Sequence, residues 1–120
     1  MSFMATKVHS ILNDMFPANP HRRVFPEYYV KYKGSRLFFD FFVKELEVFV
    51  EVQGRQHIKF VKHFHGTAEN FRAQKMRDNL KIEYVQEHEK CLVRVYDTEE
   101  VTEELVREKI TKAMEMCFYE

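Results

Sequence analysis

The stretch Leu37-Phe38-Phe39-Asp40-Phe41-Phe42-Val43, followed after four residues by Val48-Phe49-Val50-Glu51-Val52-Gln53, decides how this chain folds. Both runs are dense in aromatic and β-branched residues and too brief to prefer a helix, so each reads as a strand. Lys44-Glu45-Leu46-Glu47 between them is a charged turn. Each strand carries an acid among apolar neighbours. Because side chains alternate faces along a strand, Phe38, Asp40 and Phe42 are expected on one face, and Phe49, Glu51 and Gln53 on one face of the next. An ionised carboxylate in such a setting is costly unless it is paired or holds a cation.

Upstream, Val24 to Tyr32 is again strand-like, and Lys33-Gly34-Ser35 supplies turn chemistry, which predicts a hairpin with the Asp40 strand. Met4, Val8, Ile11, Leu12 and Met15 recur at helical spacing until Pro17 and Pro20, which predicts an amphipathic helix over about 3–16. Downstream, Gly54 to Gly66 is a polar, basic, histidine-rich loop. Thr67 and Glu69 then open a long helix with Ala73, Met76, Leu80 and Tyr84 on one face. Cys91 to Tyr96 is a fourth strand, and Thr98-Glu99-Glu100 is read as the cap of a last helix bearing Val101, Leu105, Ile110, Met114 and Cys117. The expected order is α-β-β-β-α-β-α, in one domain spanning 1–120 without linker or repeat.

The formal charge is zero, but residues 1–66 hold 10 Lys+Arg against 6 Asp+Glu while residues 67–120 hold 9 against 13. A polyanion would meet the basic front half. No apolar run reaches the length of a membrane span, and the first residues lack the apolar core of a signal peptide. Cys91 and Cys117 have neither disulfide-framework nor zinc-module spacing. These features lead to an expectation of a cytoplasmic protein with no membrane partner.

Two readings of the acids stand side by side. Asp40 and Glu51 can pair with neighbouring Lys or Arg or lie at an exposed strand edge, or they can bind Mg²⁺, which prefers oxygen ligands and needs only one or two carboxylates beside water and phosphate. The order Phe39-Asp40-Phe41, then Val50-Glu51-Val52-Gln53-Gly54-Arg55-Gln56-His57, then Arg77-Asp78 with Lys81 and Tyr84, resembles the PD-(D/E)XK nuclease superfamily. Within it, the chain is most similar to small phage and bacterial endonucleases related to the very-short-patch-repair enzyme. The likeness runs from residue 3 to residue 96. It lacks the proline before the first acid, and has Gln53 where a lysine is usual.

The resemblance implies a restriction-endonuclease-like αβββαβ core, a mixed four-stranded sheet flanked by helices, extended here by a C-terminal helix. It implies a metal-dependent DNA endonuclease in which Asp40, Glu51 and the Val52 carbonyl hold Mg²⁺, with Mn²⁺ as substitute. Gln53 can orient a water but carries no charge, so Lys81, on one helical stripe with Gln74 and Asp78, is the candidate for the missing cation. Alternatively Lys81 is a solvated partner of Asp78. His57 is a candidate general base or leaving-group acid, or only a phosphate contact. A zinc site of His57, His63, His65 and Cys91 has no matching spacing.

Arg55, Lys59, Lys62, His63 and His65, with Arg22 and Arg23, form the expected DNA-binding set. Phe60 and Phe64 in the same loop either stack on bases or anchor it in the core. Two further functions stay open: a junction-resolving nuclease acting as a homodimer, and a binding module that kept the fold without activity.

Overall fold

The computed structural model describes residues 1–54 and 67–116, together with the backbone of Phe118 and Tyr119. In chain order the elements are α1 (Phe3–Met15), β1 (Val24–Tyr32), β2 (Ser35–Val43), β3 (Val48–Gln53), α2 (Ala68–Glu87), β4 (Cys91–Tyr96), α3 (Glu103–Met116) and β5 (Phe118–Tyr119). The described residues form an α/β structure with a mixed sheet and three helices. The sheet order is β1-β2-β3-β4-β5. β1, β2 and β3 pair antiparallel, and β4 lies parallel to both β3 and β5. The expected four strands are therefore joined by a two-residue fifth. Among the described residues no helix is long and apolar enough to cross a membrane.

Local chemistry sets most of the boundaries. Ser2 caps α1 by accepting from the Ala5 amide at 3.0 Å, and Thr67 caps α2 by accepting from Asn70 at 3.1 Å. Lys33 and Gly34 form the two-residue β1–β2 turn, with φ of 50° and 78°, so that Tyr32 faces Ser35. The last helix starts later than its acidic run suggests. Thr102, not Thr98, caps it by accepting from the Leu105 amide at 3.1 Å. Glu99 is drawn back instead, accepting from the Tyr96 amide at 2.9 Å and from Lys109 at 2.8 Å. Cys117 lies outside the described residues.

Two cores form, one on each sheet face. α1 and α3 cover one face through Ala5, Val8, Leu12, Val106, Ile110 and Ala113, packed on Phe41, Val43, Val48, Val50, Val93 and Val95. α2 covers the other with Val85 over Leu37, Phe39, Phe49 and Leu92, while Leu80, Ile82 and Tyr84 pack at its margin. The face expected for α2 is corrected at Met76, which is 66% exposed, whereas Asp78 is buried. This helix lays a polar stretch over the C-terminal end of β3, and only its last turns are apolar toward the sheet.

Alternation along β2 also breaks. Leu37 and Phe39 pack on the α2 side, but Phe41 and Val43 pack on the α1 side. β1 changes in step: Tyr28, Val30 and Tyr32 join the α2 side and Val24 the α1 side. Between the Pro26↔Phe41 and Tyr28↔Phe39 pairs, Glu27 takes a left-handed backbone, φ 52°, across from Asp40. A residue in that conformation turns the chain without advancing the pleat, so the register survives while the faces exchange. Phe38, Asp40 and Phe42 consequently do not share a face. Phe38 is 56% exposed and Phe42 is buried beside Phe49.

Candidate active site

The β2–β3 ladder runs only from Val43↔Val48 to Phe41↔Val50. Beyond it the strands fork, as β3 continues in parallel register with β4 from Val48↔Cys91 to Gln53↔Tyr96. Asp40 fills the fork. Its Oδ2 accepts from the Val52 amide at 2.7 Å, replacing the backbone acceptor that β2 no longer offers. This bond fixes the carboxylate next to Glu51, the residue before Val52.

Glu51 faces α2 and is 4% exposed. Lys81 Nζ donates to its Oε1 at 2.6 Å, and the same ammonium lies 5.4 Å from the centre of the Phe39 ring. Burial pushes the Glu51 carboxyl up to about 8. The Lys81 ammonium opposes that rise, and the charge of Asp40 with a hydrogen bond between the two carboxyls adds to it. Two acids from different strands thus crowd one place, and the Lys81 ammonium offsets part of the cost.

Gln53, the next inward residue on the Glu51 face of β3, is buried, and its carbonyl accepts from the Asp97 amide at 3.0 Å. Asp78, one helical turn before Lys81, is also buried. Arg94 is the register partner of Glu51 on β4. On its other side Asp40 lines a cavity of about 260 Å³ with Met1, Ser2, Ala5, Glu27, Phe41 and Val52. The structure therefore brings together Asp40, Glu51, Val52, Gln53 and Lys81. Lys81 is only 15% exposed and engages Glu51, so the picture of a solvated residue is corrected.

Arg22 and Arg23 lie elsewhere. Arg23 donates to Glu45 at 2.7 Å and to the Pro17 carbonyl at 3.2 Å, beside the β2–β3 turn at the end of β3 remote from Gln53. Arg22 lies over the Phe25 ring. These two arginines do not converge with the acids. Arg55, His57, Lys59, Phe60, Lys62, His63, Phe64 and His65 lie outside the described residues.

Sequence reasoning missed Glu27. An exposed acid following Pro26 inside an aromatic strand was the available signal, but its placement across from Asp40 depends on the hairpin register. Among the described residues no group of three or more His, Cys, Asp or Glu side chains has the geometry of a metal site. The fork offers instead two carboxylates with a backbone carbonyl nearby, the small donor set that suffices for Mg²⁺ when water and phosphate complete the shell.

No protein-family model and no solved structure matches this chain. It is similar to "Uncharacterized protein 307L" of Invertebrate iridescent virus 6, with 39% identity over 56 residues. That alignment takes in 47% of this chain and 28% of the viral protein, so the chain spans well under half of its relative.

Proposed function

We propose that this protein is a metal-dependent endonuclease that hydrolyses phosphodiester bonds in DNA, on a restriction-endonuclease-like core, and that it acts in the cytoplasm. One observation carries the reading: Asp40, Glu51 and Lys81, from three different elements, converge at the fork where β3 leaves β2. A buried carboxylate with a second, half-buried one beside it is expensive, and a divalent cation is the partner that offsets both at once.

Asp40, Glu51 and the Val52 carbonyl would hold Mg²⁺, or Mn²⁺ in its place, which when bound polarises the scissile phosphate and acidifies a water. The remaining work belongs to the chain. The Val52 amide keeps Asp40 aimed into the fork, so little reorganisation is needed on binding. Glu51, held largely protonated at neutral pH by its burial, gives up that proton to become a ligand. Lys81 supplies positive charge where a phosphoryl group would gain negative charge, a task that neutral Gln53 cannot perform. Gln53 orients the attacking water through its amide.

The test is incubation of the purified protein with supercoiled plasmid and with branched DNA, with Mg²⁺ or with EDTA. Cleavage that requires Mg²⁺ is expected. Binding without cleavage under any divalent cation would replace this reading with that of a binding module, and preference for the branched substrate would identify a junction-resolving enzyme.

A further inference from the structure

The β1–β2 hairpin carries an exposed face that neither core uses. Glu27, Tyr29 and Lys31 on β1 and Arg36 and Phe38 on β2 are all exposed. The register aligns them into rungs: Lys31 faces Arg36, Tyr29 faces Phe38, and Glu27 falls across from Asp40. Tyr29 and Phe38 are 47% and 56% exposed, with ring centroids 5.1 Å apart. From the turn toward the fork, the face presents a pair of cations, then a pair of open aromatic rings, then the acids. Successive rungs are two residues apart, on the order of 7 Å along the strands.

Large aromatics placed side by side in water lose burial energy unless something covers them. A purely apolar partner does not suit this face, because each aromatic is flanked along its strand by a charged residue. Phosphates neutralised by cations with a base laid on an aromatic platform is the chemistry of single-stranded nucleic acid. A duplex keeps its bases stacked on one another and has no free base face to offer.

We propose that the outer face of this hairpin is a track for single-stranded nucleic acid: Lys31 and Arg36 hold a phosphate, Tyr29 and Phe38 stack a base, and the strand then leads to Asp40. The inference rests on the nuclease reading for what happens at the fork, but the track itself is a binding surface. It narrows the substrate class to DNA with a single-stranded or frayed segment.

The experiment measures binding in EDTA, so that no cleavage is involved, by fluorescence anisotropy with a labelled oligothymidylate and a duplex of equal length. Wild type is compared with Tyr29→Ser/Phe38→Ser and with Lys31→Ala/Arg36→Ala. The aromatic variant should bind the single strand at least about tenfold more weakly, with a change of less than about threefold for the duplex. The cationic variant should flatten the logarithmic salt dependence by about 0.7, the contribution of one phosphate on a single strand. Equal single-strand affinity in wild type and a normally folded aromatic variant would overturn the track. So would a wild-type dimer in sedimentation that the aromatic variant abolishes, since the face would then belong to a second copy of the chain.

If the aromatic variant fails to fold, photo-crosslinking of wild type to a bromodeoxyuridine oligonucleotide decides the matter. Crosslinks at Tyr29 or Phe38 support the track, and crosslinks confined to other elements overturn it. Mg²⁺-dependent cleavage assayed in parallel decides the nuclease reading separately, because the binding arm needs neither metal nor turnover.

Discussion

Lys81 Nζ lies 2.6 Å from Glu51 Oε1, joining the middle of α2 to the centre of the forked sheet across thirty residues of chain. The ammonium lies over the Phe39 ring while it donates to a carboxylate that is almost wholly buried. Burial raises the Glu51 carboxyl and the Lys81 ammonium opposes that rise, so this pair joins the packing of α2 on the sheet to the protonation of the fork.

For the acids, Asp40→Asn and Glu51→Gln should each reduce Mg²⁺-dependent DNA cleavage by about 10²-fold or more while the protein stays folded, since each removes a charged ligand without altering shape. Cleavage at a near wild-type rate by either variant, measured on plasmid substrate, would remove these carboxylates from the mechanism.

Lys81→Met keeps much of the side chain's length and deletes the charge. The cleavage rate should fall by about 10²-fold with little change in DNA affinity, as for loss of one electrostatic contact to the transition state. Adding Gln53→Lys to Lys81→Met should restore part of the rate, because Gln53 and Glu51 share a face of β3 and a lysine there returns the charge to the same fork. An absence of any rescue, with both variants folded, would separate the two positions.

The raised Glu51 carboxyl makes the stability of the metal-free protein depend on pH. Between its ordinary value of 4.5 and about 8, the folded state keeps a proton that the unfolded state has released. Stability is therefore full below the lower value, declines as pH rises through this window, and levels off above about 8. Thermal melts in EDTA from pH 5 to pH 9 should show the decline, and Glu51→Gln should lack that component. Saturating Mg²⁺ should offset the loss at high pH, because the ion binds the ionised form. A melting temperature that rises with pH across this window would contradict the assignment.

Lys109 is a second buried cation with a different task. It is 3% exposed and donates to the Arg94 carbonyl and to Glu99, each at 2.8 Å. It thereby fastens α3 to the end of β4, beside the strand that carries Glu51. Lys109→Met should cost about 2 kcal/mol of unfolding free energy, since it fills the space but removes the ammonium from the Arg94 carbonyl and leaves Glu99 with the Tyr96 amide in place of a cation. Denaturant titration reads this directly, and an unchanged midpoint would show that water replaces the ammonium.

The sequence alone determined the succession of elements, the Lys33-Gly34 hairpin turn, the cap at Thr67, and the presence of acids inside two apolar strands. Each of these follows from chemistry within a few neighbouring residues: β-branched and aromatic runs, a glycine able to take positive φ, a hydroxyl near free helix amides. The reading of Lys81 as the candidate for the missing motif cation rested on a helical stripe and on likeness to a nuclease family; the structure places its ammonium on Glu51.

Only the tertiary structure decided how these pieces meet. Strict alternation put Asp40 with Phe38 and Phe42, but the left-handed Glu27 exchanges the faces of two strands at once, and a single strand's pattern contains no trace of its partner's backbone. The apolar spacing of α2 pointed to Met76, which is exposed, whereas Asp78, on the polar stripe with Gln74 and Lys81, is buried. The delayed start of α3 has its origin in Glu99 answering Lys109 from ten residues away. For the hairpin and for α3 the deciding interaction is long-range, a backbone pairing in one and a charge pairing in the other, which no local preference encodes.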